Sequence, residues 1–200
     1  MIEHETLQNY TALIFDMDGT IIDTMPSHAL AWQKVGEILG YPITGDIMYE
    51  LGGATVSIIA RETMKRHNIP EQHFDEMVRL KRQLGFEMVE KNAKLLPAFD
   101  IIKANFGKFP MALGTGSHGF MVDLLLDKFN LRQYFNAVVN ADQVTYHKPN
   151  PETFLRCATL LNTDPQHCLV FEDADLGVQA GLAGGMDVFD VRINQVIKAK

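Results

Sequence analysis

The chain has 200 residues, 46% of them hydrophobic and 22% charged, with a formal net charge of -7. That length buries one sizeable core, or a core plus a small insert. The acidic balance argues against a nucleic-acid or anionic-membrane partner, and two cysteines without CxxC spacing exclude a disulfide framework. The first ten residues, MIEHETLQNY, carry acids where a signal peptide would carry lysine or arginine, and they lack a long apolar stretch. No apolar run approaches the length of a membrane span, so a cytoplasmic location is expected. Cys157 and Cys168 lie in apolar surroundings and read as small buried side chains.

The first element in chain order is TALIF at residues 11–15, an apolar run too short for a helix and followed by charge and glycine. Buried parallel strands have this form. From Pro26 to Leu39, apolar residues recur at Leu30, Val35, Ile38 and Leu39, and Gly40 closes a helix. Ile58, Ile59 and Met64 fit a further helix, while Phe74, Met77, Val78, Leu84, Met88 and Val89 fit a longer one. Gly52-Gly53 separates two of these helices and is expected to be a mobile loop. After Leu95 the pattern changes: FPMALGT, NAVVN, HCLVFED and MDVFDV read as strands, with helices at 98–105, 117–129, 151–161 and 175–183 between them. There is no internal repeat and no low-complexity segment. Strands alternating with helices predict an α/β fold, a doubly wound parallel sheet with a Rossmann-like core. Residues 1–24 and 93–200 would form that core, and residues 25–92 a small inserted helical cap.

Ligands of such sheets gather beyond the C-terminal ends of the strands. Asp16, Asp18 and Gly19 follow the first strand; Gly114, Thr115, Gly116 and Ser117 follow the second. Asn140 and Asp142, then Lys148, follow the third, and Glu172, Asp173 and Asp175 end the fourth. In FDMDGT, two carboxylates two apart can converge on a hard cation, although Asp-x-Asp-Gly is also good turn chemistry. An EF-hand loop is excluded, because Ser27 stands where its glutamate would be. GTGSHG offers backbone N–H groups at a helix start as an anion site, or simply a Ser117 cap. HKPNP fixes a lysine between proline-restrained turns, and FEDAD adds acids that could equally cap a helix. Each signal is weak alone; four of them at the ends of neighbouring strands describe a site for a metal and a phosphate.

FDMDGT, GTGS, HKPNP and FEDADLG, in this order, resemble the four signature motifs of haloacid dehalogenase-like hydrolases, over residues 11 to 192. Within that family the chain looks most like the beta-phosphoglucomutase subgroup, and GTGS with FEDADLG is most similar to bacterial fructose-1-phosphate phosphatases. The resemblance implies an Mg²⁺-dependent phosphatase acting on a small sugar phosphate, with the insert as a cap over the site. It further implies Asp16 as nucleophile and Asp18 as general acid and base. Mg²⁺ would be held by Asp16, the Asp18 backbone carbonyl and Asp173, with Glu172 close by. Thr115, Gly116, Ser117 and Lys148 would hold the phosphoryl group. His28, Thr24 and Trp32 match beta-phosphoglucomutase positions, and His28, Lys81 and Gly53 are the cap residues that could meet substrate. Trp32 and the methionines otherwise read as packing. Val56 stands where the mutase has an arginine for a second phosphate, which favours hydrolysis over a sugar phosphomutase reaction. A non-catalytic sugar-phosphate-binding protein on the same fold would have lost part of the acid–lysine set, which is complete here. Oligomeric state has no signal in the sequence.

Overall fold

The computed structural model describes residue 2 and residues 4–200. A helical turn, α1 (His4–Leu7), precedes the strand β1 (Ala12–Phe15), whose four residues are all buried. Then follow β2 (Ile22–Asp23), α2 (Met25–Leu39), α3 (Ile47–Glu50), α4 (Val56–His67), α5 (Phe74–Asn92) and β3 (Lys94–Leu95). The second half alternates: α6 (Ala98–Asn105), β4 (Met111–Gly114), α7 (Gly119–Lys128), β5 (Ala137–Val139), α8 (Glu152–Leu160), β6 (Cys168–Glu172), α9 (Asp175–Ala183), β7 (Asp187–Asp190) and β8 (Gln195–Ile197).

The main sheet runs β5-β4-β1-β6-β7-β8, with every pairing parallel up to β7. Because side chains alternate along a strand, β1 sends Leu13 and Phe15 to one face and Ala12 and Ile14 to the other. The first face packs with Leu113, Leu125, Leu126 and Phe171, where the Phe15 and Phe171 rings stack at 4.4 Å. The second packs with Phe154, Cys157, Cys168 and Val170. Both cysteines are free and fully buried. Burial on both faces is why these strands are continuously apolar, and it makes the sheet doubly wound. Among the described residues no helix is long and apolar enough to cross a membrane.

Helices α2 to α5 pack around a separate cluster built on Trp32, Ile59, Met64 and Met77. The chain enters and leaves them through the antiparallel ribbon β2–β3, with Ile22 paired to Leu95 and Asp23 to Lys94.

Three details depart from the sequence reading. In α2 the buried face is His28, Ala31, Trp32, Val35 and Gly36, whereas Leu30 and Ile38 are 43% and 55% exposed. The small residues set that face: a Cβ on Gly36 would lie 2.7 Å from the Tyr41 carbonyl, so the following turn can cross only there. The helix after β4 starts at Gly119, so Ser117 does not cap it. An edge strand, β8, pairs antiparallel with β7 beyond the expected sheet.

Candidate active site

Order within the sheet decides which loops meet. β1 lies between β4 and β6, so the turns after these three strands face one another, and the loop after β5 reaches in from the side. Asp16 is 3% exposed just past β1. Lys148, on that β5 loop, is 2% exposed, with Nζ 2.7 Å from Asp16 Oδ1 and 2.6 Å from Glu172 Oε1. Glu172 closes β6; its other oxygen accepts the backbone N–H groups of Asp173 at 2.8 Å and Ala174 at 2.7 Å. Both oxygens of Glu172 are thus committed, one to the lysine and one to the turn before α9. Asp173 in turn accepts the Thr20 hydroxyl at 2.8 Å.

The carboxylates of Asp16, Glu172 and Asp173 each offer an oxygen within 4.8 Å of the others. One lysine cannot balance three acids in so little water. Burial, only partly offset by Lys148, pushes Asp16 well above the usual carboxylate range. Burial and the neighbouring Glu172 push Asp173 up to about 7. For Lys148, burial works against the charge, but Asp16 and Glu172 outweigh it and its pKa is raised. An excess of hard oxygen donors and negative charge suits a small divalent cation.

Asp18 stands outside that cluster. Its carboxylate accepts the hydroxyls of Thr24 and Ser117, each at 2.6 Å, and lies 3.4 Å from that of Thr115. His28 Nε2 is 3.6 Å away, and His28 Nδ1 is 3.2 Å from Lys81 Nζ. Burial opposes the Asp18 charge, but His28, Ser117 and Thr24 overcome it and bring the pKa down to about 2. Burial and the Lys81 charge lower the pKa of His28. Burial also brings Lys81 down to about 8. Two aspartates in one short loop are therefore held in opposite states: Asp16 resists ionisation and Asp18 resists protonation.

Between the sheet and the helices lies a cavity of about 60 Å³, whose wall includes Asp16, Asp18, His28, Lys81, Thr115 and Gly116. Gly53 reaches it from the helical side with φ +82°, which glycine adopts without strain. Its carbonyl sits 2.5 Å from where a Cβ on Gly116 would be, so the two glycines permit the contact between the loops. Val56 also lines the cavity, together with the apolar side chains of Trp32, Met48, Ile59 and Met121.

Asp16, Glu172, Asp173 and Lys148 thus form one group, and Asp18, Thr115 and Ser117 a second beside it, with His28 and Lys81 completing the wall. Ser117, expected at a phosphate, spends its hydroxyl on Asp18. The roles of three supporting residues escaped the sequence reading, which named Thr24 only as a position matched in beta-phosphoglucomutase. Thr20 steadies Asp173 and Thr24 steadies Asp18, and both lie in the run after FDMDG where hydroxyls next to acids were the available signal. The third is Gly177, whose Cβ would fall 1.7 Å from Glu172 Oε1.

Residues 10–185 match the family described as haloacid dehalogenase-like hydrolase. The chain is 52% identical over 200 residues, the whole of both proteins, to an uncharacterized protein of Haemophilus influenzae. It is 43% identical to the fructose-1-phosphate phosphatase YqaB of Escherichia coli, over 93% of this chain and 98% of that one. Among solved structures, the beta-phosphoglucomutase of Clostridium difficile superimposes with a TM-score of 0.78 at 24% identity, covering 90% of this chain and 84% of that one, a likeness of fold. Family match, relatives and fold agree: the chain belongs to the haloacid dehalogenase-like hydrolases and is a phosphatase of that family.

Proposed function

We propose that the protein hydrolyses the monophosphate of a small sugar, fructose 1-phosphate or a similar hexose or sugar-acid phosphate, through an aspartyl-phosphate on Asp16. The observation that carries this reading is Lys148, buried with its ammonium on Asp16 and braced from behind by Glu172. A phosphate dianion meeting a carboxylate at 4 Å is repelled by about 4 kcal/mol per charge pair at an effective dielectric near 20. A fixed cation beside the attacking oxygen offsets that cost without reorganising during the reaction. Asp16 and Asp173, with the Asp18 backbone carbonyl, would hold Mg²⁺. Bound there, the ion would neutralise further phosphoryl charge and keep Asp16 ionised for attack. Glu172 serves better as the brace of Lys148 than as a ligand, since its oxygens are already occupied.

Asp18 is poised to handle the proton. In the free protein three hydroxyls and His28 keep it anionic, which suits a base. When a phosphoryl group occupies the site, the Thr115 and Ser117 hydroxyls can rotate onto its oxygens. Losing those donors raises Asp18's proton affinity, so it can take up a proton from solvent as substrate binds and pass it to the departing sugar oxygen. Afterwards it removes one from the water that cleaves the aspartyl-phosphate. His28, Lys81 and Gly53, on the cavity wall, are the groups of the helical cap that would meet the sugar. The likeness to YqaB supports a hexose phosphate. Phosphate release measured over a panel of sugar phosphates with Mg²⁺ tests the reading: hydrolysis of hexose monophosphates is expected, and no release from any of them would refute it.

A further inference from the structure

An apolar cavity of roughly 150 Å³ takes a single benzene molecule. The cavity here is about 60 Å³, and a hexose phosphate is far larger than benzene. The sugar phosphate of the proposed function therefore cannot enter this arrangement unless α2–α5 move away from the sheet. Besides the contacts of Gly53 with Gly116 and of His28 with Asp18, the seam between α5 and α7 holds them down.

Three contacts cross that seam. Phe86 meets Phe120 with ring centroids 6.0 Å apart, and Lys128 donates to the Glu90 carbonyl. The third contact lies at the cavity rim. Arg82 Nη2 is 3.0 Å from His118 Nε2, and His118 Nδ1 is 2.5 Å from Asp142 Oδ1. Asp142's other oxygen accepts the Gly119 N–H at 2.8 Å, which anchors the carboxylate to the start of α7. A guanidinium has only donors, so Nε2 of His118 must be the acceptor, and the proton of the neutral ring must sit on Nδ1, facing Asp142. The chain of contacts is thus polar in one direction only: Arg82 gives to His118, and His118 gives to Asp142.

We propose that Arg82–His118–Asp142 is a clasp that holds the helical cap closed over the site. Asp142 and the Gly119 N–H fix His118 to the core, so the joint that opens is the one between Arg82 and His118. The charged groups facing His118 are Arg82 from α5 and Asp142 from the turn after β5; its own neighbours Ser117 and Phe120 are uncharged. Breaking the Arg82–His118 joint would therefore favour the open form, which admits substrate and frees product.

The test needs no turnover, so it stands apart from the assignment of substrate. Trp32 is the single tryptophan, fully buried on the cavity wall, and its quenching by acrylamide reports opening. Arg82→Ala and His118→Phe should each raise the quenching constant about two- to fivefold over the wild type, the scale of losing one exposed polar contact. Combining them should add nothing, since both break one joint. Wild-type quenching in either variant, or rises that add in the double variant, overturn the proposal.

Discussion

Asp16 and Asp18 are two residues apart and face different surroundings, so substitutions should separate them. By the proposed reaction, Asp16→Asn removes the attacking atom and should abolish turnover of every substrate. Asp18→Ala should cost about 10²–10⁴-fold with a sugar phosphate, whose alkoxide needs a proton, and much less in the first turnover of p-nitrophenyl phosphate. A stopped-flow trace of that variant should show one nitrophenolate per enzyme and then a stall, because the same carboxylate is needed to activate water. Burst slowing as severe as that of Asp16→Asn would overturn the division of labour. The crowded acids also predict a pH effect on stability. Asp173 is pushed up to about 7, so between its unfolded value near 4 and that point the folded chain binds more protons than the unfolded one. Stability of the metal-free protein should accordingly fall as pH rises from about 4 to about 7. Mg²⁺, which binds the ionised form, should raise the melting temperature more at pH 8 than at pH 5; thermal melts with Mg²⁺ and with a chelator check this.

At the scale of elements, the brace on Lys148 depends on how closely α9 approaches β6. A methyl group at position 177 would sit 1.7 Å from Glu172 Oε1, so it cannot be accommodated with Glu172 in place. Gly177→Ala should therefore destabilise by about 1–3 kcal/mol, typical of overpacking, and lower kcat far more than it raises KM. Urea unfolding and steady-state kinetics read the two effects separately. The elements that carry these residues were legible because each strand is a short apolar run ending in acid, glycine or hydroxyl. The parts that were not legible have physical reasons. β2 and β3 are two residues each, too short for any period to show. β8 is half-exposed at a sheet edge, so its residues carry no apolar run. In α2, bulk suggested Leu30 and Ile38 as the inner face, but close approach at Ala31 and Gly36 decided it. The partners of Ser117 and His118 are 99 and 24 residues away in sequence, a distance at which one chain shows no pairing.

For the whole molecule, the resemblance to beta-phosphoglucomutase puts Val56, which lines the cavity, where that enzyme has an arginine for a second phosphate. Incubation of glucose 1-phosphate with a glucose bisphosphate should release phosphate without accumulating glucose 6-phosphate. Rapid isomerisation, followed by a coupled dehydrogenase assay, would show the opposite. The donor set also predicts metal selectivity. Ca²⁺ takes more ligands at longer distances and accepts bidentate carboxylates, so it would draw the Asp16 oxygen away from phosphorus. Replacing Mg²⁺ by Ca²⁺ should inhibit phosphate release, and equal rates with either ion would refute the metal assignment.

The ribbon β2–β3 has a consequence for how such a protein could diversify. Both crossings between the two halves of the molecule pass through one antiparallel pair, Ile22 with Leu95 and Asp23 with Lys94. Residues 25–92 therefore hang from the sheet as a pendant whose two attachment points are hydrogen-bonded neighbours. A replacement segment needs only to begin and end at that spacing to leave the chemistry of Asp16, Lys148 and Glu172 untouched. By the proposed function, substrate range would travel with residues 25–92 and the reacting groups with the sheet, so a chimera joined at Asp23 and Lys94 should keep its turnover of p-nitrophenyl phosphate while taking the sugar preference of the donor.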